Sequence, residues 1–212
     1  MNVKACFFGG ARYSRPLDAT NQKKFSAMKS CGEIFVIGFA KGLRPCRFTE
    51  HGRFYLLPAP PLALIRYGEI LFVGSLLALW LVWRYDIRVI VTQSPYEGLG
   101  AAMVKKIAGW LGRQVILVVE VHGDFEESFF MERRVRVPEL YRFLMAHAAR
   151  FSLRQADLVR EISSSTRKEI EQWAPGKRVI QFPAWTDIEA FLSAGDEEKP
   201  RDGRILYPGV LT

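Results

Sequence analysis

Short apolar runs alternate with longer stretches of helical periodicity along most of the chain. Residues 3–8 are mostly apolar and stop at Gly9-Gly10, the pattern of a buried parallel strand entering a tight turn. Thr20 is placed to cap a helix over 21–30. Residues 33–39, with Ile34, Phe35, Val36 and Ile37 in one unbroken run, and residues 53–57 predict two further strands. A proline-rich loop over 58–61 then leads into a long apolar helix that begins near Leu62 or Gly68.

The same alternation continues in the second half. Residues 87–92 predict a fourth strand, and Ser94-Pro95 opens a helix to about Leu111, with proline at its first position and Gly112 as its cap. Residues 114–121 form the fifth and most apolar strand. Pro138 opens a helix to about Gln155, and 156–162 is a sixth strand by position, although its alternation is imperfect. Ser163 or Ser164 caps a helix through Trp173, and 176–182 is the seventh strand. A helical turn at 187–191, a polar linker over 193–203 and a strand over 204–212 that begins a new unit complete the reading. Residues 1–192 are thus expected to form one α/β domain.

Strands separated by helices at this spacing imply a mostly parallel sheet covered on both faces. Ligands bind such sheets beyond the carboxyl ends of the strands. That rule nominates the loops at Gly9-Gly10, at Gln93-Ser94, at His122-Gly123-Asp124, and at Ser163 and its neighbours.

Composition narrows the choice of partners. With 212 residues, 49% hydrophobic and 25% charged, the chain has ample material for a buried core. A formal charge of +8 and a pI near 9.6 favour acidic partners: a nucleic acid, an anionic membrane surface or a phosphorylated ligand. The lysines and arginines are spread over helices and loops without an RNA-binding signature, so no nucleic acid is expected. Cys6, Cys31 and Cys46 are too few and scattered for a disulfide framework, and no metal-ligand spacing is present. The N-terminus lacks the long apolar region of a secretory signal and reads as a first strand.

The one membrane-like run, 70–83, is shorter than the ~20 residues of a spanning helix. It is either a core helix or an interfacial helix whose tryptophans anchor in lipid headgroups. The expected setting is cytoplasmic, either soluble or peripheral on the inner face of a membrane.

The candidate chemistry sits at the nominated loops. Gly9 and Gly10 lack Cβ atoms and let backbone amides approach a phosphate or sugar. The third glycine of a dinucleotide fingerprint is absent, which argues against nicotinamide or flavin chemistry. Esterase, zinc-protease and P-loop motifs are absent as well. His122, flanked by Glu120 and Asp124, can donate to a developing negative charge or a sugar hydroxyl while a carboxylate fixes its tautomer or serves as base. Asp124, with Glu126 and Glu127, is either catalytic or part of a solvated loop.

Together these motifs resemble the N-terminal half of a GT-B-type, family 4 (retaining) glycosyltransferase. The first strand with Gly9-Gly10 resembles that family's glycine loop, residues 86–92 its "PDVVH" strand, and residues 118–124 its "HG/HD" strand end. The most specific match is 156–163 with Thr166 and Ile170, which resembles "ADxVxxVSxxxxxxL". Residues 182–191 resemble "xPNGVDxxxF" and 205–212 resemble "ILFVGRLxxxKG". In these, Ala184-Trp185-Thr186 replaces Asn-Gly-Val, and Val210 stands where an Arg is common.

The resemblance implies a Rossmann-like acceptor-side domain that moves sugar from a nucleotide-sugar donor to a saccharide or lipid-linked acceptor. No cofactor and no obligatory metal is implied, the nucleotide sugar being a substrate. His122 and Asp124 would be catalytic. Gly9, Gly10, Arg12, Gln93, Ser94, Gly123 and Ser163 would line the substrate cleft. The donor-binding half would lie beyond Thr212, so the chain alone is expected to transfer no sugar. A non-catalytic binding module for a sugar, a lipid head group or a partner protein remains the alternative, ahead of a Rossmann nucleotide enzyme.

Overall fold

The computed structural model describes residues 3–122, 138–162 and 164–182. Among the described residues, eight strands form one sheet in the order β3-β4-β2-β1-β5-β6-β7-β8. They are β1 (Val3–Tyr13), β2 (Gly32–Ala40), β3 (Cys46–Thr49), β4 (Arg53–Leu57), β5 (Val89–Thr92), β6 (Ile116–Val121), β7 (Leu158–Glu161) and β8 (Val179–Gln181). Every pairing is parallel except that of β3, which runs antiparallel to β4 at one edge. The helices are α1 (Ala19–Lys29), α2 (Ala63–Glu69), α3 (Ser75–Tyr85), α4 (Gly98–Trp110), α5 (Pro138–Gln155) and α6 (Ser164–Trp173), with a π-helical turn over Ile70–Gly74 joining α2 to α3.

Alternate side chains of β1 and β2 build two cores. Phe7, Val36 and Phe54 join Phe25 of α1 on one face, while Phe8, Ile37 and Ile90 join side chains of α3 to α6 on the other. This division follows from handedness. From β1 the chain steps one way through β2 to β4 and then the other way through β5 to β8, so right-handed crossovers place α1 and the later helices on opposite faces. Phe25 is fully buried among Phe54, Tyr13 and Phe7 at centroid distances of 5.1, 6.0 and 6.1 Å, in edge-to-face contacts.

Several expected boundaries move. Gly9-Gly10 is not a tight turn: β1 continues to Tyr13, and its pairing with β2 shifts between Phe8↔Ile37 and Arg12↔Phe39. β1 thus bulges where β5, whose Thr92 lies opposite Phe8, comes to its end. Asp18 rather than Thr20 caps α1, its Oδ1 accepting from the Asn21 amide at 2.8 Å.

β3 was not anticipated. The apolar helix begins at Ala63, as expected for a start near Leu62, but at 23 residues over Ala63–Tyr85 it is not too short to span a membrane, because Arg66 and Glu69 are accommodated within it. Residues 94–97 form a turn tied by Gly98 N to Ser94 O at 3.0 Å, so α4 starts after Pro95 and not at it. The cap at Gly112 is confirmed by its φ of +75° and by the Arg113 amide on Ala108 O at 2.8 Å. The turn at 187–191, the linker at 193–203 and the strand at 204–212 lie outside the described residues.

Candidate functional site

The strand order reverses between β1 and β5, which leaves a crevice at their carboxyl ends. Gly9, Gly10, Gln93 and Ser94 all stand there. Against the glycine pair stands a side chain that no sequence motif marks, Glu97. Its Oε1 accepts a hydrogen bond from the Gly10 amide at 2.6 Å across 87 positions of sequence. A Cβ on Gly10 would come within 2.5 Å of that oxygen, and one on Gly9 within 2.6 Å of Oε2, so the paired glycines are what admit the carboxylate. Burial pushes the Glu97 carboxyl up to about 7, against the opposing effects of the Gly10 amide, the Ser94 hydroxyl and the His122 charge.

On the α1 side of the sheet, beside this crevice, lies a cavity of 620 Å³. Its lining includes Lys24, Gln93, Glu120, His122, Arg160 and Phe182. Odd-numbered apolar residues of β6 face the helix-covered core, so Glu120 and His122 project to the other side. The Glu120 side chain, 7% exposed, takes Arg160 Nη1 on Oε1 and His122 Nε2 on Oε2, the latter at 3.1 Å. Desolvation pushes the Glu120 carboxyl up. The bond to His122 and the charges of Arg160, His122 and Lys24 outweigh it and hold the group below the usual carboxylate range. Lys24, mostly buried, is pushed down by desolvation, with Arg160 adding to the effect and Glu120 opposing it. The Arg160 guanidinium lies 4.7 Å from the Phe182 ring centroid.

The remaining candidates divide clearly. Gln93 lines the cavity and hydrogen-bonds Tyr13, whose hydroxyl burial pushes up to about 12. Gly10, Arg12 and Ser94 line a smaller neighbouring hollow of 210 Å³ with Arg66, Tyr67 and Glu97. Its polar lining could receive a sugar hydroxyl or an anionic group. Gly123, Asp124 and Ser163 fall outside the described residues, as do Glu126 and Glu127. Among the described residues no cluster of His, Cys, Asp or Glu is arranged to hold a metal ion.

Lys24 and Arg160 were missed as cavity residues because each lies inside a regular element, where a charge reads as a solvated surface. The imperfect alternation of β7 was the available signal for Arg160. Val159 and Glu161 are buried while Leu158 and Arg160 are half-buried, which sets Arg160 on the cavity side.

The profile of the Glycosyl transferase 4-like domain matches residues 27–185, well over half of the chain. Among solved structures, a sucrose-phosphate synthase from Thermosynechococcus elongatus superposes with a TM-score of 0.57 at 12% identity, over 89% of this chain and 49% of that one. An α,α-trehalose-phosphate synthase (UDP-forming) from Burkholderia vietnamiensis gives 0.53 at 12% identity, over 91% and 51%. A lipopolysaccharide outer core galactosyltransferase gives 0.51 at 12% identity, over 88% and 47%. The chain therefore spans about half the length of these structures, and its sheet has the fold of the N-terminal half of GT-B enzymes. No curated protein sequence matches it.

Proposed function

This chain belongs to the Glycosyl transferase 4-like domain family, and on that premise we propose that it forms the acceptor-side half of a sugar transferase. In this reading a nucleotide-sugar donor meets a saccharide or lipid-linked acceptor at the tips of β1, β5, β6 and β7. One observation carries the reading: the strand-order reversal brings the glycine pair, Gln93 and the Glu120–His122–Arg160 group to the same end of the sheet.

The group has a definite division of labour. An ionised Glu120 accepts from Nε2–H of His122, which leaves Nδ1 as acceptor in the neutral ring and as donor in the imidazolium. In the first state the ring receives a sugar hydroxyl, and in the second it faces a phosphate oxygen. Arg160 is held on the other oxygen of the same carboxylate, so its remaining N–H groups keep a fixed direction. Two cations, Lys24 and Arg160, stand against one carboxylate, which leaves excess positive charge for a diphosphate in the cavity. Ala27, Met28 and Phe182 add apolar wall for the flat face of a base or sugar.

Calorimetric titration of the chain with UDP and GDP tests this reading. Removing one charge-assisted hydrogen bond costs about 1.5–3 kcal/mol, so Arg160→Ala is expected to weaken diphosphate binding by about tenfold or more. Absent binding, or equal affinity in chain and variant, overturns the placing of the diphosphate in this cavity.

A further inference from the structure

The long helix has two faces of opposite character. Ile70, Gly74, Ala78, Leu81 and Val82 are buried against the sheet and α4. Phe72, Leu76, Trp80 and Trp83, spaced four, four and three apart, form a stripe on the other face, and Phe72 is 65% and Leu76 69% exposed. Less than a third of the helix's most apolar window is buried, although its length and composition would suffice to cross a membrane. Crossing would pull Leu81 and Ala78 out of the main core, so the helix is held along the protein surface with its apolar stripe outward.

Cations surround the tryptophan end of this stripe. Arg113 lies over the Trp83 ring at 5.3 Å, and Arg84 over Tyr85 at 5.2 Å. Trp80 packs edge-on to Tyr55 and Tyr85, which in turn carry Arg47 at 4.7 Å and Arg53 at 5.0 Å. Asp86 holds Arg113 and Arg88 at 2.8 and 3.2 Å and offsets only one of these charges. Glu33 meets Arg53 at 3.5 Å. Glu69, the acid within the helix, has its carboxyl pushed up by desolvation. Trp110, 83% exposed at the end of α4, lies three residues before Arg113.

An apolar stripe, tryptophans at its end and a collar of arginines together match one solvent boundary: acyl chains below, anionic headgroups above. We propose that this face docks on an anionic lipid bilayer surface, with the helix axis along the interface and Trp80 and Trp83 at headgroup depth. A second copy of the chain fits less well, because two-fold pairing of this face would set the arginine collar against itself. The inference stands independently of the sugar-transfer reading and uses none of its residues.

Co-sedimentation with vesicles tests it, using phosphatidylcholine alone and phosphatidylcholine mixed with phosphatidylglycerol. The chain is expected to partition at least about tenfold more strongly to the anionic vesicles at low salt, with the difference shrinking as salt screens it. The Phe72→Glu, Leu76→Glu double variant is expected to lose at least about tenfold in partitioning. Leu43→Glu, an equally exposed site in the β2–β3 connection, should leave it unchanged. Intact far-ultraviolet circular dichroism of the double variant separates lost docking from lost folding. Unchanged partitioning of a folded double variant overturns the proposal. So does a dimer in solution that the double variant dissolves, since the stripe would then be a self-association surface. Alkaline carbonate should release the bound chain, and resistance to release contradicts a helix that lies on the surface.

Discussion

The unfolding free energy of this chain is expected to fall by about 3 kcal/mol as pH rises from about 5 to 8, and Glu97→Gln is expected to remove that fall. The cause is a carboxyl whose value rises from an ordinary 4.5 to about 7 on burial. Each unit of such a shift corresponds to about 1.4 kcal/mol. The folded chain holds the Glu97 proton more tightly than the unfolded chain. The stabilisation is therefore complete below about 4.5 and is lost as pH passes upward through about 7. Glutamine keeps a carbonyl oxygen for the Gly10 amide and has no proton to lose. Chemical denaturation across this pH range, for chain and variant, measures the effect. Parallel slopes in the two proteins would show that Glu97 is not the group responsible.

Glu120→Ala is expected to cost about 3 kcal/mol at pH 7, the low end of what removing one partner of a buried ion pair costs. The low end applies because the Arg160 side chain retains 23% exposure. The loss has two parts: Arg160 and Lys24 keep their positive charge in a confined cavity, and His122 loses the partner that orients it. Acid should reproduce part of the effect in the wild-type chain. The folded-state value of Glu120 is depressed, so its stabilisation is present above the ordinary carboxylate value and is lost as pH falls through the folded one. The two carboxylates thus act in separate windows, Glu120 on the acid side and Glu97 on the neutral side. A change below about 0.5 kcal/mol in Glu120→Ala, the usual size of a surface substitution, would mean that the carboxylate does not hold the cations together.

Much of this architecture was legible because local pattern and tertiary packing agree. α5 over Pro138–Gln155 and the end of α6 at Trp173 match the bounds expected from an opening proline and apolar spacing. The parallel sheet followed from the alternation itself. Where the two disagree, tertiary pairing overrides the local pattern. The glycine pair reads as a turn, yet β2 pairs with β1 on both sides of it, so the chain passes through it as a bulge. β3 is a four-residue edge strand, Cys46–Thr49, too short to leave a periodic signature.

Of the candidate site, His122 was legible from its place at the end of an apolar strand, with Glu120 two residues before it. Glu97 was not, because its meaning comes from an amide 87 positions away. Its one local hint is the set of small residues Gly98, Gly100, Ala101 and Ala102, which lets α4 pack closely against its neighbours. Lys24 takes its meaning from the tertiary fold, in which it and Glu120 line one cavity from different elements.

The central claim is that ligand binds where the strand order reverses, and amide spectra of the isotope-labelled chain titrated with a UDP-sugar and a GDP-sugar test it most directly. Shifts are predicted at Gly9, Gly10, Gln93, His122 and Arg160, around the crevice and its cavity. Shifts confined to the opposite end of the sheet, at the hollow beside Lys29, Glu33, His51 and Arg53, would contradict it.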